Sequence, residues 1–381
     1  MSRCIGCGAK IQSVNPEALG YVPEIALIEH GENVYCKRCY DIRHHNKVYL
    51  PNYSPEQYYE KIKMIRNEKA LVVLMIDILD IYGGFIDKLD ECIGNNKVLI
   101  LANKVDLLPK SIHLSHLESR IRDIASQKNL HIEGIMMISA TNQRLVQQVV
   151  NKISKLKYLP TQNKYEKEKK SRFGNCYIIG CASVGKSTFM NTVGKLTLQF
   201  KEDVITTSSQ YQTTLDFIKW PLDKDSYLID TPGMINPKHF GAYLTNQSLQ
   251  VLISNKYLKP RTYQLNSNQS IVLGGLARID FIGETKMNAS FYVSNDLYLH
   301  RTKTEQVPEL WNNQLMKLFV PPYEVNEVEK LNDFITYHYP LNQPSDLFIS
   351  GIGFVHMTGE NCAIKVTISQ KILVVFEESF M

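Results

Sequence analysis

The chain has 381 residues, a formal net charge of +5, 44% hydrophobic residues and 21% charged ones. That length is enough for two or three domains with ample core, and no apolar run is long enough to span a bilayer. The charge is too mild to argue for nucleic acid by itself, and polar residues and Cys4 interrupt the N-terminus where a secretory signal would be apolar, so a cytoplasmic, non-membrane protein is expected.

Eight cysteines fall into two groups. Cys92, Cys176, Cys181 and Cys362 are isolated and read as small buried hydrophobes. Cys4, Cys7, Cys36 and Cys39 form two C-x-x-C pairs, a spacing that lets four thiolates surround one tetrahedral Zn²⁺. The stretch between the pairs is longer than usual, which implies an inserted loop or hairpin. Two disulfides or a redox pair fit less well, given a reducing compartment and no βαβ pattern beside these cysteines. A four-cysteine shell leaves no open metal position, which argues against a zinc-dependent enzyme. Near the second pair, Lys37, Arg38, Arg43, His44, His45 and Lys47 are locally basic, yet residues 1–50 hold six basic against five acidic residues. Contact with RNA phosphates and a solvated surface on a finger that packs on its neighbour are both open readings.

From residue 51 to 67, Tyr, Glu and Lys recur at helical spacing. The apolar run 70–77 suits a parallel strand buried on both faces. Asp77 and Asp80 at its end are read as mostly structural. Helical stretches are expected near 84–94, 113–128 and 141–157, alternating with strands at 97–102 and 134–138; this βα alternation predicts a doubly wound sheet. The second strand runs into Asn103-Lys104-Val105-Asp106 on a strand-end loop. A carboxylate at Asp106 can accept from guanine N1–H and N2–H₂, a donor pair adenine does not offer on that edge, so guanine is favoured. Ser139-Ala140 has the form of a second base-contacting loop. The polar, Lys-rich stretch around 158–172 has no apolar face and reads as a flexible connector.

Beyond it, the strand 175–179 leads into Gly180-Cys-Ala-Ser183-Val184-Gly185-Lys186-Ser187-Thr188, which fits the phosphate-loop pattern and opens a helix. Backbone N–H groups of such a loop cradle phosphates, Lys186 reaches the β- and γ-phosphates and Ser187 ligates Mg²⁺. Thr213-Thr214 enters a strand expected to run to Trp220, which places Thr214 to cap the metal. The apolar strand 227–230 ends in Asp230-Thr-Pro-Gly233, whose Asp helps to hold Mg²⁺ and whose Gly amide contacts the γ-phosphate. The base-reading motif therefore precedes the phosphate loop, the reverse of the usual order.

These motifs in this order resemble the circularly permuted GTPases, and within them the YqeH type. Cys4-Ile-Gly-Cys7, Cys36-Lys-Arg-Cys39 and Ile349-Ser-Gly-Ile-Gly353-Phe are similar to landmarks of that family. The resemblance implies an α/β fold: a permuted P-loop G domain with a mostly parallel sheet (residues 51–255), an N-terminal four-Cys zinc finger (1–50) and a mostly β, α+β C-terminal domain (256–381). It also implies a GTPase using GTP/GDP, Mg²⁺ and Zn²⁺ that assists assembly of the small ribosomal subunit. Its partners would be the subunit or its precursor, through rRNA or a ribosomal protein. A nucleotide-stabilised RNA- or protein-binding scaffold is the alternative.

Met234 occupies the position where many G proteins carry a water-orienting Gln, so slow intrinsic hydrolysis is expected. Relatives often carry Asn, linked to potassium activation, where this chain has Ser183, and Pro-Gly where it has Tyr211-Gln212; K⁺ as a cofactor and the conformation of that segment are left open. In the C-terminal part, residues 271–282, 289–293, 297–303, 346–355 and 363–368 read as strands. Residues 260–381 carry nine Lys/Arg against thirteen Asp/Glu, so any RNA contact there needs a local patch, for which Arg278, His300, Arg301 and Lys303 are candidates.

Overall fold

The computed structural model describes residues 2–16, 18–31, 34–45, 54–158, 171–199, 204–205 and 217–381. The expected connector, save Tyr158, Ser171 and Arg172, lies outside them, as do Tyr211, Gln212, Thr213, Thr214, Lys47 and the side chains of Arg43, His44 and His45. No helix among the described residues is long and apolar enough to cross a membrane. The chain forms two compact units: residues 1–77, 84–105 and 122–235 make one, and 78–83, 106–121 and 236–381 the other.

The first unit begins with the cysteine segment, which carries short helices α1 (Glu24–His30) and α2 (Lys37–His45). Helix α3 (Pro55–Ile62) starts with Ser54, whose hydroxyl and Gln57 form a reciprocal capping box. Then comes a six-stranded sheet: β1 (Leu71–Asp77), β2 (Lys97–Asn103), β3 (Ile132–Met137), β4 (Cys176–Gly180), β5 (Ile218–Asp223) and β6 (Ser226–Asp230). Its order is β3-β2-β1-β4-β6-β5, parallel except for the β5–β6 hairpin. Leu71 to Ile76 and all of β4 are buried, which is why both read as unbroken apolar runs rather than alternating ones. The permutation costs the sheet nothing in continuity. β1 pairs with β2 on one side and with β4 on the other, so Met75 lies level with both Leu101 and Gly180.

The helix expected over 84–94 shrinks to α4 (Leu89–Ile93), while α5 (Leu114–Gln127) and α6 (Gln143–Lys157) form where helices were expected. Upstream, the Asp80 carboxylate accepts the Gly83 N–H at 2.9 Å, a local turn that competes with helix formation. The strand expected to end at Trp220 is observed from Ile218 to Asp223.

The second unit is mostly β, as its sequence suggests. One sheet has the order β16-β13-β14-β10-β7 and the other β11-β8-β9-β15-β12. Their strands are β7 (Arg261–Leu265), β8 (Gln269–Leu273), β9 (Ala277–Gly283), β10 (Met287–Val293), β11 (Leu299–Lys303), β12 (Phe334–Leu341), β13 (Ser345–Ile349), β14 (Gly353–Thr358), β15 (Cys362–Ser369) and β16 (Val374–Glu378). The apolar run 271–282 is two strands rather than one: Gly274, at φ +55°, turns β8 back onto β9, and a Cβ there would lie 2.9 Å from the carbonyl oxygens of Val320 and Pro321. Edge strands β7, β12 and β16 were not anticipated. β12 alternates exposed and half-buried residues and carries Pro340, a pattern that suits an edge. Between the β segments, the buried carboxylate of Glu327 accepts from the Ser248 hydroxyl (2.8 Å) and the Thr245, Tyr323 and Glu324 amides. Burial works against the charge, but these bonds outweigh it and hold the group below the usual carboxylate range.

Candidate nucleotide site and metal centre

The phosphate loop joins β4 to helix α7 (Lys186–Thr197). Ser183 and Gly185 take left-handed backbone angles, φ +63° and +98°. At Gly185 any side chain is excluded twice, by φ and by the Asn103 amide nitrogen, which a Cβ would meet at 2.3 Å. Lys186 is buried and its ammonium donates to the carbonyls of Gly180 and Cys181, both at 2.8 Å. Burial lowers its pKa, while the nearby Asp230 carboxylate works in the opposite direction.

Asp230 ends β6 with no solvent exposure. A hydroxyl at Ser187 and a carboxylate at Asp230 are the hard oxygen donors that Mg²⁺ selects, so the residues present fit that ion. Gly233 passes close to the loop: a Cβ would stand 3.0 Å from Ala182 Cα and 3.2 Å from Lys186 Nζ. Met234 follows with its side chain buried at 2% exposure, and its backbone is tied both ways, N–H to Gly180 O (3.2 Å) and C=O from Ala182 N–H (2.8 Å). The residue standing where Gln would orient water is thus packed inside.

The base-reading loops are sewn to this framework by side chains. Asn103 donates to Val184 O (2.7 Å) and accepts from Ala140 N (2.8 Å), so one amide joins three loops. Thr192 on α7 donates to Ala140 O at 2.7 Å, and Ser139 and Thr141 share a hydroxyl bond of 2.9 Å. Lys104, at φ +72°, is paired with Asp77 at 2.6 Å. Asp106 lies in the single turn Val105–Leu107 and belongs to the second unit. Of these supports, sequence reasoning missed Thr192 and read Asp77 as mostly structural. A polar residue facing inward from mid-helix is a weak local signal, because its partner lies far away in the chain.

The four cysteines of the paired motif converge. Their ligand atoms all lie within 4.8 Å of one another and each residue is buried. Cys7 Sγ and Cys36 Sγ are 3.8 Å apart. A tetrahedron with metal–sulfur bonds of about 2.3 Å puts its sulfurs about 3.8 Å apart, whereas a disulfide needs about 2.05 Å. The cluster therefore has the dimensions of a tetrahedral thiolate site. Local backbone bonds shape it: Cys4 N–H to Ala9 O (2.8 Å), Gly8 N–H to Cys4 O (2.9 Å) and Cys36 N–H to Cys4 Sγ (3.2 Å).

The basic candidates of the second unit are unequal. Arg278 is committed to Asp280 at 2.8 Å, and His300 packs its ring on Phe319. Arg301 and Lys303 are exposed.

A phosphate loop on the fourth strand in chain order, preceded by its own base-reading strands, defines a circularly permuted P-loop GTPase. Comparison with known proteins agrees. Residues 175–269 match the family described as "50S ribosome-binding GTPase", and residues 286–380 the one described as "YqeH-like, C-terminal". The chain is 33% identical to YqeH of Bacillus subtilis (strain 168) over 92% of each protein. It is 24% identical to "NO-associated protein 1, chloroplastic/mitochondrial" of Arabidopsis thaliana, over 93% of this chain and 69% of that one. It is 25% identical to "Putative nitric oxide synthase" of Oryza sativa subsp. japonica, over 92% and 69%. The chain belongs to the YqeH family.

Proposed function

We propose that this chain is a slowly hydrolysing GTPase switch of the cytoplasm that assists assembly of the small ribosomal subunit, touching rRNA or a ribosomal protein through its flanking domains. The observation that carries the reading is the buried, doubly tied Met234 beside an otherwise complete phosphate loop. Binding groups are built in, while the position of the water-orienting Gln is filled by the buried Met234, so fast turnover waits for a partner. Zn²⁺ is the ion proposed for the four cysteines, since four thiolates form a closed structural shell. The matched G-domain family is described by the large subunit, so binding assays must offer both subunits. Guanine selectivity is tested by competition: GTP and GDP are expected to displace a fluorescent guanine nucleotide far better than ATP, and Asp106→Asn is expected to shift preference toward xanthine nucleotides. Equal displacement by ATP sinks the assignment.

A further inference from the structure

Helix α7 carries an asparagine, Asn191, that is only 3% exposed. In mid-helix this residue type is disfavoured by about 0.6 kcal/mol relative to Ala. Three of the four hydrogen-bonding positions of its amide grip one dipeptide: Oδ1 accepts from Val204 N (3.1 Å) and Ile205 N (2.8 Å), and Nδ2 donates to Ile205 O (2.7 Å). Ile205 is buried at 1% exposure. Val204 has a second holder. The Tyr35 hydroxyl donates to its carbonyl at 2.9 Å, across 169 residues of sequence. Tyr35 immediately precedes Cys36 and packs against the buried cysteine cluster, so its position is set by the same residues that would hold the metal.

We infer that Tyr35 and Asn191 are positioning residues for the nucleotide site: they fix Val204–Ile205 between the cysteine module and the phosphate-loop helix, and metal occupancy at Cys4, Cys7, Cys36 and Cys39 thereby sets how tightly nucleotide is retained. The chemistry is a relay of contacts. A metal held by the cysteines would fix the backbone at Cys36, the hydroxyl of the neighbouring Tyr35 holds Val204, and Asn191 joins the same dipeptide to the helix that begins with Lys186 and Ser187. Sequence continuity then runs from Ile205 toward Thr213 and Thr214. The inference rests on the guanine-nucleotide reading given above, and it concerns how that site is regulated.

The test uses the full, zinc-loaded chain and its Tyr35→Phe variant, which loses one hydroxyl and keeps the ring. One hydrogen bond of about 1 kcal/mol corresponds to about a fivefold change. Amide hydrogen exchange at Val204 and Ile205 is expected to speed up about fivefold in Tyr35→Phe, with zinc content unchanged. Dissociation of a fluorescent GDP analogue is expected to change by a similar factor. Withdrawing zinc with a selective chelator, magnesium held in excess, is expected to reproduce that change in the parent and add little in Tyr35→Phe. Unchanged exchange at 204–205, or chelator effects of equal size in both proteins, overturns the inference. Asn191→Ser is the second variant: its effect on exchange at 204–205 is expected to be non-additive with Tyr35→Phe, and strict additivity overturns the relay. Failure to bind guanine nucleotide at all sinks the functional reading instead, and leaves the exchange measurement to decide the contact.

Discussion

The nucleotide loops and the cysteine module are both ligand sites, but they are held together in opposite ways. Around the phosphate loop, protein groups satisfy one another: Asn103 joins three loops, Thr192 holds Ala140, Asp77 holds Lys104, and Lys186 rests on two carbonyls. These contacts sit on a six-stranded sheet whose central strands are buried apart from Asp77 at the end of β1. The cysteine module has a small core, made of the four cysteines with Ala9, Val22 and Val34. Even with Ile11, Ala26, Leu27 and Tyr35 packed against it, this core is small against the entropy of ordering the segment, and we propose that a metal at the four cysteines supplies the difference. On this reading one site is a cradle that waits for its ligand, and the other is proposed to fold only around its ligand.

The largest expected effect breaks or confirms this contrast. Cys36→Ser, or zinc withdrawal, removes a binding energy on the order of 10 kcal/mol or more. Residues 2–45 are expected to lose hydrogen-exchange protection and become susceptible to limited proteolysis, while the six-stranded sheet stays protected. A cysteine module that remains protected without metal contradicts the comparison. In contrast, removal of nucleotide is expected to leave the exchange pattern of β1, β2 and β4 intact.

A smaller effect sharpens the picture of the cradle. Asp77→Ala leaves Lys104 without its carboxylate, a half-buried pair worth on the order of 1 kcal/mol. GDP affinity measured by calorimetry is expected to fall about threefold to tenfold, with Asp77→Asn falling less. Unchanged affinity would show that Lys104 is positioned by something else.

The smallest effect concerns the far end of the sheet. Asp223 at the end of β5 is bonded by Lys157, Ser226 and Tyr158, and although burial opposes ionisation, these partners hold its carboxyl well below the usual range. A carboxyl with a depressed folded-state pKa contributes stability above its unfolded value of about 3.9, and that contribution is lost as pH falls through the folded value. Asp223→Asn is therefore expected to lower the urea midpoint at pH 7, by about 0.5 kcal/mol in stability, because solvent reaches the carboxylate and screens the pair. The difference from the parent is expected to shrink as the pH is taken below about 4. A difference that persists undiminished at low pH assigns the effect to packing rather than to charge.

Much of this was legible in the chain itself. The motifs fall at strand ends because fully buried parallel strands produce unbroken apolar runs, and Gly185 and Gly233 sit where a Cβ has no room. The permuted order is a property of sequence alone, and the sheet tolerates it because β1 reaches neighbours on both sides. What could not be read were the ties. Asn191, Thr192 and Tyr35 look like ordinary polar or aromatic residues until their partners, distant in sequence, are brought beside them. The β8–β9 hairpin was hidden for another reason: both strands are apolar and joined by only a few residues, so periodicity saw one run, although the Gly274-Gly275 pair marked the turn.

We propose a switch in which the phosphate loop holds the nucleotide while the buried Met234 leaves turnover to a partner. Single-turnover GTP hydrolysis, measured alone, with small ribosomal subunits or their precursors, and with large subunits, tests it directly. Slow hydrolysis alone and a clear acceleration by the small subunit only is the predicted result. Fast hydrolysis without any partner, or no acceleration by the small subunit, contradicts it.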